Sequence, residues 1–160
     1  MTVRVGDKVP SITIKVAKDS GAEETTTEAL FAGKKVVLFA LPGAFTPTCS
    51  AKHLPGFIEK AAELRAKGVD IVACTSVNDA YVMNAWGKAQ GATDKVMMIA
   101  DGNGDFARAM GLVVDLRAPG MGERSQRYAA IIDKGVVTAL EVEAPGKFEV
   151  SSAEAILKKL

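Results

Sequence analysis

Cys49 stands in the stretch PGAFTPTCSAKHLPGF, just past a turn rich in proline and glycine, where a helix should begin. A cysteine in the first turn of a helix faces backbone N–H groups that lack intrahelical partners, and also the positive end of the helix dipole. Both favour thiolate over thiol. Pro47 suits that turn because the N–H it lacks is not needed there. Thr46 and Thr48 can cap the helix, and either hydroxyl can also touch a thiolate or the molecule it attacks. The plainer alternative is a capped helix whose cysteine is a small packing residue.

His53 follows Cys49 by four residues and shares its helical face. Such a pair can carry out nucleophilic hydrolysis, with the imidazole activating the thiol. A histidine in the same helix points along the axis and is a poor in-line base, so the better expectation is a polar residue at the rim of a site or at an interface. Cys74 lies inside VDIVACTSV, flanked by apolar residues, where a shielded and inert thiol is expected. No CxxC pair exists, which disfavours dithiol exchange of the thioredoxin kind. A single histidine excludes multi-histidine metal sites, and two cysteines with one histidine fall short of a zinc set.

The elements that must position these groups follow from periodicity. SITIKV alternates like a strand, and EETTTEALFAGKK reads as an edge segment running into a helical turn that Gly33 stops. KVVLFAL is a continuous apolar run, as in a strand covered on both faces. A helix is expected from about Pro47 to Lys67, with Leu54, Phe57, Ile58, Ala61 and Leu64 at three- and four-residue spacings and Gly68 as its stop. VDIVACTSV is a second buried strand, and Asn78 is the expected cap of the helix DAYVMNAWGKAQ, closed by Gly91. KVMMIAD is a third strand, and NGDFARAMG a short helix between glycines. RYAAIID and VVTALEVE flank the turn DKG as a hairpin. SSAEAILKKL closes the chain as a helix with serines and Glu154 at its start and lysines suited to its end. A βαβ half followed by a ββα half gives an α/β thioredoxin-like fold, a mixed central sheet with helices on both faces and an N-terminal β extension. Residues 1–160 read as one domain. Ligands are expected at the carboxyl ends of such strands, which is where Cys49 falls.

Composition excludes several classes. The chain has 20 Lys and Arg against 19 Asp and Glu, for a net charge of +1, so no basic face for nucleic acid stands out. MTVRVGDKVP has no apolar core of a secretory signal, and the run Val36 to Leu41 is far too short to span a bilayer. Two cysteines in such a chain point to reduced thiols in the cytoplasm.

Three blocks carry a resemblance. PGAFTPTCS holds the pattern P-x-x-x-T-x-x-C at Pro42, Thr46 and Cys49, which resembles the active-site motif of the peroxiredoxins. With KHLPGF, the stretch SVNDAYVMNAW and GERSQRYAAIIDKG, the chain is similar to the type II, five-like branch of that family. The resemblance implies a thiol peroxidase acting on hydrogen peroxide and small organic hydroperoxides. Cys49 is then the nucleophile that becomes a sulfenic acid, Thr46 orients the peroxide, and Pro42 shields the thiolate. The family's arginine opens a strand running into an I-I-D-x-G turn; Arg127, ahead of YAAIIDKG, matches it, with Arg124 acting through other residues and Arg117 a surface charge. A free thiol of pKa ~8.5 is about 3% ionised at neutral pH, so ionisation alone gains at most roughly thirty-fold. Donors aimed at the breaking O–O bond must supply the rest.

The resemblance also implies a homodimer, no cofactor or metal, and recycling by an external thiol reductant, either glutaredoxin with glutathione or thioredoxin. Some relatives carry a cysteine where Cys74 stands, which makes it the one candidate for a resolving disulfide partner; the relatives' C-terminal cysteine is replaced by serines in GKFEVSSAEA. The rival readings are a Cys–His hydrolase or glyoxalase-like enzyme, and a non-enzymatic redox-sensing or chaperone-like module. No nucleic-acid or membrane partner is expected.

Overall fold

A computed structural model describes residues 1–160. Its centre is the apolar run of strand β3 (Lys35–Ala40), in which every residue after Lys35 is buried. Val37 and Phe39 pack on one side of the sheet and Val36, Leu38 and Ala40 on the other, so the run is apolar because both faces are covered. Around it lie β1 (Thr13–Lys18), β2 (Gly21–Thr26), β4 (Ile71–Ser76), β5 (Met97–Ala100), β8 (Tyr128–Asp133) and β9 (Val136–Val142). The sheet order is β2-β1-β5-β4-β3-β8-β9. β3, β4 and β5 run parallel, whereas β8 and β9 are antiparallel to their neighbours, giving the mixed sheet. β1 joins β5 antiparallel and β2 forms the edge, which is the N-terminal extension.

Helices α2 (Leu54–Ala66), α3 (Ala80–Gln90) and α5 (Ala153–Leu157) cover one face through Leu54, Phe57, Met83, Trp86 and Ile156. The other face carries α1 (Thr27–Phe31) and α4 (Asp105–Met110), packed through Phe31, Phe106 and Met110. The turn between β8 and β9 has Lys134 at φ 51° and Gly135 at φ 83°. Two consecutive positive φ values are what a tight hairpin demands, and the glycine makes them cheap.

Four local features differ from the sequence expectation. The expected straight helix does start at Pro47 and end at Ala66, but Cys49–His53 form a π turn, with the Leu54 N–H reaching back to the Cys49 carbonyl. Pro55 supplies a reason: it offers no N–H to the helix ladder, and its ring would collide with the carbonyl four residues earlier in a regular α-helix. The cap of α3 is Asp79, whose side chain accepts from the Val82 N–H, and not Asn78. Asn78 instead accepts from the Ala44 N–H at 2.9 Å and the Ser76 hydroxyl at 2.6 Å, tying down the loop ahead of Cys49. A second, two-stranded sheet, β6 (Val113–Leu116) with β7 (Gly122–Ser125), was not anticipated at all. Lastly, α5 ends before its lysines, and Lys159 pairs with Glu141 at 2.9 Å.

The two neighbours Asn78 and Asp79 should therefore separate on mutation. Asp79→Ala should lower stability in chemical denaturation by about 1 kcal/mol, the usual cost of a lost cap, with little change in the reactivity of Cys49. Asn78→Ala should slow that reactivity, because it frees the loop at Ala44. An equal effect of both on stability alone would contradict the assignment.

Candidate active site

The turn leading from β3 is held at each step by a named partner. Arg124 donates from Nε to the Met121 carbonyl at 2.9 Å and from Nη1 to the Pro42 carbonyl at 3.2 Å. Its guanidinium lies so close to Gly43 that an added Cβ would come within 2.8 Å of Nη1. Phe45 takes φ 63°, a left-handed conformation that costs a bulky L-residue roughly 1–2 kcal/mol and must be imposed by its surroundings. The Thr46 hydroxyl donates to the Gly43 carbonyl at 2.6 Å, which closes the turn. Neither Thr46 nor Thr48 caps the helix through its side chain, contrary to expectation: Thr46 is engaged with Gly43, and the Thr48 hydroxyl makes no cap bond.

Past this turn the π turn faces Cys49, His53 and Leu54 into the core, all of them 1% exposed or less. A regular α-helix would set positions five apart about 140° from each other and could not bury Cys49 and Leu54 together. The sulfur accepts a hydrogen bond from Arg127 Nη2 at 3.1 Å. Arg127 immediately precedes β8, the strand paired with β3, so sheet register brings the guanidinium across the end of β3 to the helix start. A cleft of about 570 Å³ opens beside this pair, lined by Pro42, Thr48, Arg127, Phe148 and Lys52.

His53 does not lie at a rim or an interface as expected. It is fully buried, with Phe39 and Phe148 each at 5.0 Å and Phe57 at 5.6 Å between ring centroids. Both ring nitrogens are engaged: Nδ1 with Arg127 Nη1 at 2.9 Å and Nε2 with the Ser151 carbonyl at 3.0 Å. An arginine N–H only donates and a carbonyl only accepts, so the ring must accept at Nδ1 and donate from Nε2. Burial, with the Arg127 charge added, pulls its pKa down to about 3. A neutral imidazole with no nitrogen turned to sulfur is not a base for Cys49. It is a bracket for Arg127, and the Cys–His hydrolase reading loses its geometry.

Cys74 sits in β4 between Phe39 of β3 and Met98 of β5, fully buried, on the same sheet face as Cys49. Burial first, then the neighbouring Cys49, raises its pKa well above the ordinary thiol value. Both cysteines are free. Arg117 is exposed and paired with Asp115 at 3.2 Å. No group of three or more His, Cys, Asp or Glu residues is placed to hold a metal ion. No helix is long and apolar enough to cross a membrane. Sequence reading missed Asn78 as the loop anchor, and Phe148 and Ser151 as partners of Arg127 and His53. These contacts span up to 98 positions, and only the ring of Phe148 in an otherwise polar loop offered a local hint.

Comparison with known proteins places this arrangement. The Redoxin family model matches residues 4–157. Peroxiredoxin-2E, chloroplastic, of Arabidopsis thaliana is 52% identical over 163 residues, covering 99% of this chain and 70% of that protein. Peroxiredoxin-2B of the same plant is 51% identical over 159 residues, covering 99% and 98%. The crystal structure of reduced Prx3 in complex with H2O2 from Vibrio vulnificus superposes with a TM-score of 0.95 at 54% identity, covering 99% of each chain.

His53 is the only histidine, so its titration can be followed without assignment. Nitrogen-15 NMR should show one tautomer, protonated at Nε2, with no protonation between pH 8 and pH 5. The sign for stability follows from a pKa that drops on folding from 6.5 to about 3. Below pH 6.5 the unfolded chain takes up a proton that the folded one refuses, so this contribution is whole above 6.5 and lost towards 3, at up to about 1.4 kcal/mol per pH unit. Protonation of folded His53 near pH 6.5 would contradict the bracket.

Proposed function

The chain belongs to the peroxiredoxins of the Redoxin family and is a thiol peroxidase of antioxidant defence, and on that premise we propose that Cys49 is its peroxide-reactive nucleophile. The observation that carries this is the 3.1 Å bond from Arg127 to the Cys49 sulfur beside an open cleft. In the reaction the sulfur forms a bond to one peroxide oxygen as the O–O bond breaks. The sulfur is oxidised to sulfenic acid, and the other oxygen leaves with the electron pair and takes a proton to become water or an alcohol. The substrates we assign are hydrogen peroxide and small organic hydroperoxides, and the Vibrio relative, crystallised with H2O2, supports the first.

Arg127 is the donor for charge on the breaking bond. Its planar fork contacts sulfur through Nη2 and His53 through Nη1. Thr46 has its own proton committed to Gly43, which leaves its oxygen as an acceptor for the peroxide O–H. Pro42 lines the cleft, and the role we assign it is to shield the thiolate from water; Arg124 acts on the site by fixing the Pro42 carbonyl. No metal or organic cofactor takes part.

Glutaredoxin with glutathione, or thioredoxin, returns the sulfenic acid to thiol. Cys74 is left out of this cycle, since its thiol is desolvated between two strands and would have to wait for the helix start to unwind. The cytoplasm is the setting we assign, and the exposed Phe45 and Tyr81 support a homodimer that covers them.

Cys49→Ser should abolish peroxide turnover while circular dichroism and melting stay close to the parent. Appreciable peroxidase activity in that variant would falsify the assignment. Thr46→Val keeps shape and loses only the hydroxyl, so it should slow the peroxide reaction about ten- to hundredfold, the worth of a hydrogen bond to a charged group, while Thr46→Ser stays within about threefold. Equal rates for the two would remove Thr46 from the mechanism.

A further inference from the structure

Glu143 follows β9 directly and is 7% exposed, yet no lysine or arginine pairs with it. A buried carboxylate without a cationic partner is costly unless donors surround it. Four do: the N–H groups of Glu149 (2.9 Å to each oxygen), Val150 (2.8 Å) and Ser151 (2.8 Å), and the Ser151 hydroxyl (2.7 Å). The connection from β9 to α5 is wrapped around this one side chain. Burial alone would raise the carboxyl's pKa, but the bonds from Ser151, Glu149 and Val150 outweigh it and hold the group below its usual range.

That connection delivers two groups to the active site. Ser151 presents its carbonyl to His53 Nε2 at 3.0 Å, and Phe148 lies 5.9 Å from the Arg127 guanidinium. The Glu143 backbone N–H meanwhile donates to the Arg127 carbonyl at 3.0 Å. A closed ring results. It runs from the Arg127 backbone through Glu143, its carboxylate, Ser151 and His53, and returns to the Arg127 guanidinium. The Ser151 carbonyl fixes the tautomer of His53. With the other tautomer, an N–H at Nδ1 would meet the N–H of Arg127 and push the guanidinium off the sulfur.

We propose that Glu143 is a positioning residue for the peroxide reaction: through Ser151 and His53 it fixes the Arg127 guanidinium against Cys49. This rests on the reading of Arg127 as the transition-state donor. All four donors meet Oε2 and only the Glu149 N–H also reaches Oε1, so a glutamine sets its NH2 against either one donor or all four, and in both orientations it loses the charge that gathers them.

The test is a double-mutant cycle on the second-order rate constant with hydrogen peroxide, combined with the nitrogen-15 spectrum of His53. Glu143→Gln should slow the reaction about ten- to hundredfold, as a displaced catalytic group does, and should mix the two tautomers. His53→Asn places an acceptor where Nδ1 was but cuts the link to Ser151. In that background Glu143→Gln should cost less than about twofold more, because the pathway is already broken. Effects that multiply, or a slowed reaction with the His53 tautomer intact, overturn the proposal in favour of a loop anchor with no positioning role. An unchanged rate in Glu143→Gln overturns it too. Should Glu143→Gln fail to fold, Ser151→Ala, which removes one donor, takes its place in the same cycle: coupling with His53→Asn supports the proposal and independence overturns it. Arg127→Ala is the separating control. If that variant keeps the parent rate, the reading of Arg127 has failed; if it does not and Glu143→Gln does, only the role of Glu143 has.

Discussion

The site depends on one hydrogen bond, from the Arg127 guanidinium to the Cys49 sulfur. A donor that carries full charge makes a shorter and stronger bond than a neutral one, and it keeps its charge at every accessible pH. Such a group must be held still to be useful, because an arginine side chain has about 2 kcal/mol of rotamer freedom to lose. The fold meets that need from two sides. Pairing of β8 with β3 sets the Arg127 backbone, and a neutral, buried His53 sets its side chain. Both hold Arg127 to the core of the fold.

The sulfur is held with equal care by different means. A π turn at the helix start turns Cys49, His53 and Leu54 inward together, and the left-handed Phe45 lies between residues that are tied down: Pro42 by Arg124, Ala44 by Asn78, and Thr46 by Gly43. Strain of this kind persists only where surroundings over-determine it. Cys74 shows the contrast. It shares a sheet face with Cys49, but lies mid-strand among apolar side chains without any donor, and burial pushes its thiol towards the neutral form.

Much of the architecture was legible because it rests on local patterns. The apolar run Lys35–Ala40, the Lys134-Gly135 turn and the left-handed Gly91 and Gly111 follow from burial and from backbone φ values near the residue itself. The place of Arg127 beside Cys49 was implied by the family resemblance, and the register of β8 with β3 is its structural cause. What escaped reading was set by tertiary contacts or by competing caps. Asn78 and Asp79 both suit an N-cap, and only the position of Ala44, 34 residues away, shows which one the loop claims. His53 was expected at the rim of a site or at an interface because a lone polar side chain gives no sign of a carbonyl 98 positions on. The β6–β7 hairpin is short and half exposed, with too little apolar alternation to stand out.

The most direct measurement compares two reactions of the same sulfur in the parent and in Arg127→Lys: the second-order rate with hydrogen peroxide and that with an alkylating agent. Alkylation needs thiolate but no O–O bond cleavage, and lost ionisation can slow either reaction by at most roughly thirty-fold. The expected result is a peroxide rate that falls about a hundredfold further than the alkylation rate, since one ammonium cannot hold both sulfur and the breaking bond. Equal losses in both reactions would contradict it, leaving Arg127 as a counter-charge for the thiolate and nothing more.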